Sequence, residues 1–178
     1  SAADALALAV REPAREVVFF AIGFETTTPP TALVLREAAT RRLANFSVIC
    51  NHVLTPPAIT AILDSPAASR LGALHLDGFI GPAQVSTLIG SRPYEAFAAR
   101  YRKPVVIAGF EPLDVMQAIR MLVRQVDTGR AEVENEFTRA VVRDGNPKAQ
   151  AIVSEVLALR DEFEWRGLGV LARSALRI

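Results

Sequence analysis

Cysteine, aromatic side chains and an excess of either charge are scarce in this 178-residue sequence. The single cysteine, Cys50, excludes an internal disulfide and any cluster held by several cysteines of this chain. Aromatic residues make up 7% of the sequence and hydrophobic residues 51%, which favours helices on a parallel sheet over an aromatic-rich β-sandwich. Twenty basic and nineteen acidic residues leave a formal charge of +1. No basic surface for nucleic acid is therefore predicted.

Long apolar runs and the common catalytic motifs are also missing. No run approaches the ~20 residues of a membrane span. No charged segment is followed by an apolar leader and a small-residue cleavage site. We therefore expect a cytoplasmic protein that binds no membrane. The sequence contains no GxGxxG, P-loop, GxSxG or HExxH motif, so the common nucleotide-binding and hydrolase functions lose their support.

Apolar runs of strand length alternate with helical patterns along most of the chain. Strands are predicted at Glu16–Ile22, Phe46–Cys50, Leu74–Ile80 and Pro104–Ala108. The longest helical pattern runs from Glu111 to Val126. This alternation is typical of βαβ units around a parallel sheet. We predict a single Rossmann-like three-layer α/β domain over residues 1–130, with about four parallel strands in the order 2-1-3-4.

Residues 131–178 have a different pattern. Helical periodicity at Ala131–Val142 and Lys148–Leu159 is interrupted by Asp144–Pro147, which is a strong turn signal. Residues from Phe163 onward have no clear period. We predict a C-terminal helical extension and an extended final segment that packs on the same domain or leaves it.

The stretch from Phe19 to Pro30 organises the predicted functional site. Its apolar run ends at Gly23, and a carboxylate, Glu25, precedes three threonines and two prolines that open the next helical pattern. Ala108-Gly109-Phe110-Glu111, followed by Pro112, repeats this arrangement after the predicted fourth strand. Strand ends of a parallel sheet share one edge, where open α/β sheets bind ligands. We therefore predict a single ligand-binding rim.

The predicted rim has a reactive group and a surrounding group. The reactive group consists of Glu25, Thr26 and Thr27. The surrounding ligand-binding residues are Gly23, Thr28, Asn51, His52, Gln84, Ser86, Glu111 and Asp114. No metal site is predicted within this chain.

Glu25 and the threonines each have a functional and a structural interpretation. Glu25 can act as a ligand, a general base or a hydrogen-bonding clamp. It can equally cap the helix that follows, which stabilises by about 0.3–1 kcal/mol without any substrate. One threonine is expected to cap the helix opened by Pro29 or Pro30. Three hydroxyls exceed that need, so at least one is free to face the crevice.

The remaining polar candidates have competing roles as well. His52 can bind a metal or shuttle a proton, or simply satisfy a backbone group. Cys50 ends an apolar strand, which is typical of a buried inert thiol. Ser86 can donate to a ligand or cap a short helix. Glu111 and Asp114 lie three residues apart on one helix face and can hold a cation or complement the helix N-terminus.

Three stretches together closely resemble the HypD family of [NiFe]-hydrogenase maturation proteins. They are GFETTTPPTA at 23–32, GFIGPAQVS at 78–86 and GFEPLD at 109–114. The resemblance includes Asn51-His52 with Pro56-Pro57, the VEN segment at 133–135 and WRGLG at 165–169, so it covers nearly the whole chain.

The resemblance implies a scaffold on which the Fe(CN)₂CO moiety is assembled. It implies a small HypC-like partner, cyanide delivery by a HypE-like protein, and a redox role in the full-length protein. It also implies two related α/β domains facing each other across a cleft and a cysteine-rich tail with a [4Fe-4S] cluster. This chain looks like the second α/β domain, and neither cofactor is expected on this chain alone.

The sequence departs from the family pattern in two respects. The family's Cys-Gly-x-His, Gly-Pro-Gly-Cys-Pro-Val-Cys and tail cysteines are absent, so the thiol proposed to hold iron is missing. Gln84 stands where the family's Pro-x-His-Val-Ser motif has histidine. Glutamine neither takes up a proton near neutral pH nor coordinates metal as imidazole does.

The function predicted is a hydrogenase-maturation domain that forms one wall of the Fe(CN)₂CO assembly cleft. In this role the chain serves protein modification through metallocentre assembly, and catalysis by the isolated chain is not expected. Two alternatives are kept. One is a non-catalytic module that binds a HypC-like partner, and the other is an unrelated small-molecule-binding α/β transferase.

Overall fold

The computed structural model describes residues 1–64 and 76–178. Within them the chain forms two compact units. The first comprises Ser1–Ala58 together with Lys148–Ile178, and the second comprises Ile59–Pro147. Both are mixed α/β, and both contain parallel strands. Among the described residues, no helix combines the length and apolar character needed to cross a membrane.

The first unit is built on two parallel strands. Its N-terminal elements are α1 (Ala2–Arg11), β1 (Val17–Gly23), a 3₁₀ turn (Glu25–Thr27), α2 (Thr28–Thr40) and β2 (Phe46–His52). β1 pairs with β2 in a register from Val17 opposite Phe46 to Gly23 opposite His52. Helix α1 packs on β1 and helix α2 on β2. The helix α3 (Thr55–Asp64) begins in this unit and runs into the second.

The C-terminal residues return to the first unit. They form α7 (Pro147–Val156), β6 (Ala158–Leu159), β7 (Glu162–Trp165), β8 (Gly169–Ala172) and β9 (Leu176–Arg177). Strands β7 and β8 form an antiparallel hairpin, and β6 pairs with β9. Cys50 of β2 and Leu176 of β9 belong to one buried cluster, which anchors the tail on the β2 side.

The second unit contains a three-stranded parallel sheet. Its elements are β3 (Phe79–Pro82), α4 (Ala83–Ile89), α5 (Arg92–Tyr101), β4 (Val105–Ala108), α6 (Pro112–Asp127) and β5 (Val133–Asn135). β4 lies between β3 and β5. Val106 and Ala108 of β4 pack on α6, whereas Val105 and Ile107 pack in a second cluster on the other face. The sheet is thus covered on both faces.

The structure confirms the mixed α/β class with parallel strands but not the single sheet in the order 2-1-3-4. That order requires β1 beside β3, whereas β1 pairs with β2 and β3 pairs with β4 in separate sheets. Periodicity identifies a strand, but the choice of neighbour depends on long-range packing. The start of the predicted strand Leu74–Ile80 lies outside the described residues, and β3 begins at Phe79.

Two further expectations concern the C-terminal third. The helix predicted at Ala131–Val142 is wrong, because Val133–Asn135 adds to the sheet beside β4. The edge position offers β4 a hydrogen-bonding partner, which local helical periodicity cannot indicate. The helix predicted at Lys148–Leu159 corresponds to α7. The domain division at residue 130 stays a prediction, and the compact units divide near residues 58 and 147.

Candidate functional site

The elbow after β1 begins with a buried carboxylate. Glu25 is 3% exposed, and both of its carboxylate oxygens accept hydrogen bonds from Thr55. Oε1 accepts from the Thr55 backbone N–H at 2.7 Å, and Oε2 accepts from the Thr55 hydroxyl at 2.8 Å. Glu25 therefore caps the first residue of α3. The sequence allowed Glu25 to cap α2, the helix that directly follows it. In the structure Glu25 caps α3 instead.

Compared with water, the surroundings of Glu25 favour the protonated, neutral form of its carboxyl group. Burial raises the pKa of Glu25, and the hydrogen bonds from its own backbone and from Thr55 oppose that rise. The carboxylate is thus both poorly solvated and already paired. It holds the elbow against the start of α3, and its oxygens are turned toward Thr55.

The three threonine hydroxyls have different partners. Thr28 donates to the Glu25 carbonyl oxygen at 2.7 Å, and Thr27 donates to the Phe24 carbonyl oxygen at 2.9 Å. Thr27 occupies the N-cap position of α2, but its side chain bonds to no helix N–H. Thr26 is exposed, and its hydroxyl has no hydrogen-bond partner in the described part of the chain. Thr26 is therefore the threonine available to a ligand.

His52, at the end of β2, lies between two hydroxyls. The ring is 1% exposed, with Nδ1 3.2 Å from the Thr27 hydroxyl and Nε2 3.1 Å from the Thr31 hydroxyl. Thr31 also lies 3.1 Å from the Thr27 carbonyl oxygen, to which its hydroxyl can donate. Burial lowers the pKa of His52, an effect opposed by a hydrogen bond to the Gly23 backbone. This favours neutral imidazole.

A neutral imidazole has one N–H and one acceptor nitrogen. If both threonine hydroxyls donate to backbone carbonyls, the ring must donate from both nitrogens, which requires the charged form. One hydroxyl must therefore turn its hydrogen toward the ring when His52 is neutral. Thr27 and Thr31 are the two that can do so, which makes the orientation of the Thr27 hydroxyl dependent on the His52 tautomer.

A cavity of about 250 Å³ opens beside these hydroxyls at the carboxyl ends of β1 and β2. Thr26, Thr27, Thr31, His52 and Ser1 are its polar lining residues. The others are Ala2, Phe19, Ala21, Ile22 and Pro30. Gly23 adjoins the site with a φ of +143°, and a Cβ at this position would clash with the Thr27 side chain. Glycine is therefore needed for the elbow to close on Thr27.

Asn51 and His52 are consecutive residues of β2, and their side chains lie on opposite faces of the sheet. Successive side chains of a strand point to opposite faces, and Asn51 pairs with Ile22 in the register of β1 and β2. Asn51 is half-buried on the face opposite that of His52. Of the two residues, only His52 lines the cavity.

The second Gly-Phe-Glu elbow, in the second unit, has a different structure. Glu111 is exposed at the N-cap of α6, and Asp114 is 7% exposed. Arg139 donates to Asp114 Oδ1 at 3.2 Å and Oδ2 at 2.5 Å, and it reaches Glu111 Oε2 at 3.4 Å. The hydrogen bonds from Arg139 hold the pKa of Asp114 below its usual value. The cation beside these carboxylates is therefore a guanidinium.

Glu136 completes this acidic cluster. Burial raises the pKa of Glu136, and the nearby charges of Asp114 and Glu111 raise it further. Its Oε2 is buried and has no hydrogen-bond partner among the described residues. Sequence reasoning missed Glu136 and Arg139, because residues 131–142 were assigned to a helix of their own.

Gln84 and Ser86 lie at the start of α4 in the second unit. Gln84 is exposed in the first turn. Ser86 is fully buried and donates to the Pro82 carbonyl oxygen at 2.9 Å, so its hydroxyl neither caps the helix nor faces solvent.

The structure thus gathers the predicted residues into two groups. Glu25, the three threonines and His52 lie together in the first unit, whereas Gln84, Ser86, Glu111 and Asp114 lie in the second. A single rim remains a prediction. Thr31 and Thr55 were not predicted for the first group, although the Thr-Pro-Pro sequence at 55–57 marked a helix start that a carboxylate could cap.

No group of three or more histidine, cysteine, aspartate or glutamate side chains in residues 1–64 and 76–178 is arranged to hold a metal ion. Cys50 is buried, and its thiol lies 3.4 Å from the Leu176 carbonyl oxygen. A [4Fe-4S] cluster requires four thiolates, and this chain has a single cysteine, so its residues do not fit the cluster.

Comparisons with known proteins agree across the whole chain. A family model named HypD, described as "Hydrogenase formation hypA family", matches residues 1–178. The hydrogenase maturation factor HypD of Cupriavidus necator is 70% identical over 178 residues, which are 100% of this chain and 47% of that protein. The corresponding protein of Rhizobium leguminosarum bv. viciae is 64% identical over 178 residues, 100% of this chain and 46% of its own length.

A more distant relative gives the same result. The hydrogenase maturation factor HypD of Escherichia coli K12 is 40% identical over 175 residues, which are 98% of this chain and 45% of that protein. The chain therefore spans about half the length of the curated relatives it matches.

Proposed function

Because the chain belongs to the HypD family of hydrogenase formation proteins, we propose that it forms one wall of the cleft in which the Fe(CN)₂CO moiety is assembled. The iron moiety is the cargo of this process. It would be handled at the first-unit cavity that Thr26, Thr27 and His52 line.

The observation that carries the proposal is the Thr26 hydroxyl beside that cavity, which has no hydrogen-bond partner among residues 1–64 and 76–178. Iron-bound cyanide is a hydrogen-bond acceptor, and hydroxyls or backbone N–H groups at a helix start can donate to it. Thr26 lies in the 3₁₀ turn that leads into α2 and lines the cavity. Thr27 adds a second hydroxyl, whose hydrogen His52 can redirect.

Glu25 is proposed to position the elbow without touching the cargo. A free carboxylate beside an anionic ligand would repel it. The pairing of both Glu25 oxygens with Thr55 supports a role in which the carboxylate is turned aside. The Thr26 and Thr27 hydroxyls are then left to interact with the ligand.

The second-unit group is proposed to support the same assembly. Glu111 and Asp114 are held by Arg139, which would keep the start of α6 in one conformation. Gln84 is exposed and can donate or accept a hydrogen bond, but it cannot transfer a proton as a histidine would.

We further propose that a HypC-like chaperone and a HypE-like cyanide donor meet the full-length protein in the cytoplasm. The iron-binding thiol and the [4Fe-4S] cluster would come from parts of the full-length family outside these 178 residues. The isolated chain would act as a scaffold without catalytic activity of its own.

Family membership excludes the alternative of an unrelated transferase. The other alternative, a non-catalytic module that binds a HypC-like partner, makes a different prediction. In that case, the isolated chain would bind the partner in a pull-down assay, and elemental analysis would find no iron in the complex. The infrared bands of the full-length protein would also be unaffected by the threonines.

Infrared spectroscopy of a full-length protein carrying this chain tests the cleft proposal. Thr26→Val and Thr27→Val remove a hydroxyl while keeping the side-chain shape, so the cyanide and carbon monoxide stretches should shift or disappear. Thr40→Val is the matched control, because Thr40 is exposed at the far end of α2 and bonds to the Arg36 carbonyl oxygen. Bands that stay unchanged in both variants would contradict the role of the threonines.

Glu25 substitutions test whether this residue orients the elbow or contacts the iron moiety directly. If Glu25 orients the elbow, Glu25→Ala should remove the bands and destabilise α3 together. Glu25→Gln, which keeps one acceptor oxygen, should retain part of the signal. Full loss of the bands in Glu25→Gln without any loss of stability would instead indicate that the carboxylate contacts the cargo directly.

A further inference from the structure

One face of the β1–β2 sheet in the first unit is apolar and uncovered. The register places Val18, Phe20 and Ile22 of β1 beside Ser47, Ile49 and Asn51 of β2 on this face. The four apolar side chains among them are each more than half exposed, Phe20 at 53% and Ile49 at 56%. Phe20 and Ile49 are direct neighbours across the strands. We name this surface the open face.

The opposite face of the same two strands is buried. Ala21 and Cys50, which are paired in the register, are 1% and 8% exposed, and helices α1 and α2 pack on that side. The two strands are therefore packed on one side and bare on the other. It is one side of a sheet whose second layer is missing from the described residues.

The sequence of β1 independently points to a covered sheet. Strands with one solvated face alternate apolar and polar residues, whereas strands buried on both faces are almost continuously apolar. β1 reads VVFFAIG, with no polar residue. β4 of the second unit reads VVIA, and all four of its residues are buried. The pattern of β1 is thus that of a strand with both faces covered.

The edge of β1 is open as well. Within the described ranges β1 pairs only with β2, so its outer backbone N–H and C=O groups have no strand partner. A two-stranded sheet depends on packing against other elements, and in the described residues helices cover only one of its two faces. The curated relatives are about twice as long as this chain, so the family has chain enough to supply a further layer.

We propose that the open face is an intramolecular interface, covered by a helical layer from the part of the full-length HypD polypeptide outside these 178 residues. The occupant is apolar on the side that meets Phe20 and Ile49. A parallel sheet covered by helices on both faces is the arrangement that such strands adopt in α/β proteins. The first unit is then one part of a larger α/β domain whose remaining layers come from elsewhere in the same polypeptide.

Hydroxyl-radical footprinting measures the exposure of these side chains directly. Oxidation rates of Phe20 and Phe110 should be compared between the 178-residue chain and a full-length protein that contains it. Phe20 should be oxidised several-fold more slowly in the full-length protein. Phe110, 75% exposed in the second unit, is the matched phenylalanine and should change much less. An equal rate for Phe20 in both proteins would overturn the proposal.

A pair of charge substitutions tests the interface by stability. In the full-length protein, Phe20→Asp should lower the urea midpoint by about 1 M or prevent folding, because it buries an unpaired carboxylate. Val170→Asp, at a valine of the β7–β8 hairpin that is also more than half exposed, should leave the midpoint nearly unchanged. A full-length protein that tolerates both substitutions equally would contradict a covered face.

Two other occupants give distinguishable results. If a second copy covers the face, Phe20 in the 178-residue chain becomes protected as the protein concentration rises, and sedimentation shows a dimer. If a separate partner protein covers it, Phe20 in the full-length protein stays reactive until a HypC-like protein is added. Either result overturns the intramolecular assignment. Neither depends on whether the threonines of the elbow interact with the iron moiety.

Discussion

The central strand of the second unit and the first strand of the first unit have similar sequences but different surroundings. β4 is buried on both faces, between α6 and the cluster around Tyr94. β1 is equally apolar, yet it is covered on one face only. The contrast supports the proposal that the open face is covered in the full-length protein, because the apolar sequence of β1 resembles that of a strand buried on both faces.

The two Gly-Phe-Glu elbows extend this comparison to the candidate site. Glu25 is buried and paired with the first residue of α3, whereas Glu111 is exposed and lies beside Arg139. The same short sequence therefore has a capping carboxylate in one unit and a solvated one in the other. The burial of the residues around each elbow, and not the motif, determines the role of the glutamate.

The largest effect is expected from matched isoleucines of the two sheets. Ile107→Ala should lower the free energy of unfolding by about 2–5 kcal/mol, because Ile107 is fully buried in β4. Ile49→Ala should cost about 0.5 kcal/mol or less in the 178-residue chain, because Ile49 lies on the open face. Circular dichroism during urea denaturation measures the loss, and equal costs would remove the contrast between the sheets.

A smaller effect is expected from the two elbow glutamates. Glu25→Ala should cost about 1–2 kcal/mol, because it leaves the N–H and hydroxyl of Thr55 without their acceptor. Glu111→Ala should have little effect, since its side chain is exposed and Asp114 keeps its own bonds to Arg139. Circular dichroism during urea denaturation measures both losses, since Glu25 lies in the first unit and Glu111 in the second. A large loss for Glu111→Ala would contradict this assignment.

The smallest effect is the pH dependence, and its sign should differ between the elbows. The pKa of Glu25 is raised by burial, so its contribution to stability is present below its ordinary value of 4.5 and is lost as pH rises through the raised value. The pKa of Asp114 is lowered by Arg139, so its contribution is present above its ordinary value of 3.8 and is lost as pH falls through the lowered value.

Unfolding measured from about pH 3 to pH 7 should separate these contributions. The stability of the parent protein relative to Glu25→Gln should fall as pH rises, and its stability relative to Asp114→Asn should rise. Two difference curves with the same sign would show that one of the elbow environments is assigned incorrectly.

Much of the local structure was predictable from sequence. Strand-length apolar runs located β1, β2 and β4, and the helical pattern from Glu111 to Val126 located α6. The strand β5 was missed because residues 133–135 are held by pairing with β4, a contact that helical periodicity cannot reveal. The single four-stranded sheet was not confirmed for the same reason: strand pairing depends on residues distant in the sequence.

The candidate site was predictable to a similar extent. The residues of the first elbow were identified, since a carboxylate and three hydroxyls after an apolar strand are unusual. Which hydroxyl is free was not predictable, because it depends on the carbonyl groups that the fold brings to Thr27 and Thr28. His52 was a weak candidate until the register placed its ring between two threonines.

The sequence by itself determined the α/β class, the family and the residues of both elbows, because these follow from local periodicity and from motifs read along the chain. Only the tertiary structure decided that Glu25 caps α3. It also decided that, within the described residues, the Thr26 hydroxyl has no partner and one face of the β1–β2 sheet is uncovered. Each of these depends on which distant groups come within hydrogen-bonding or packing distance. Such contacts are long-range and leave no periodic signal in a single sequence.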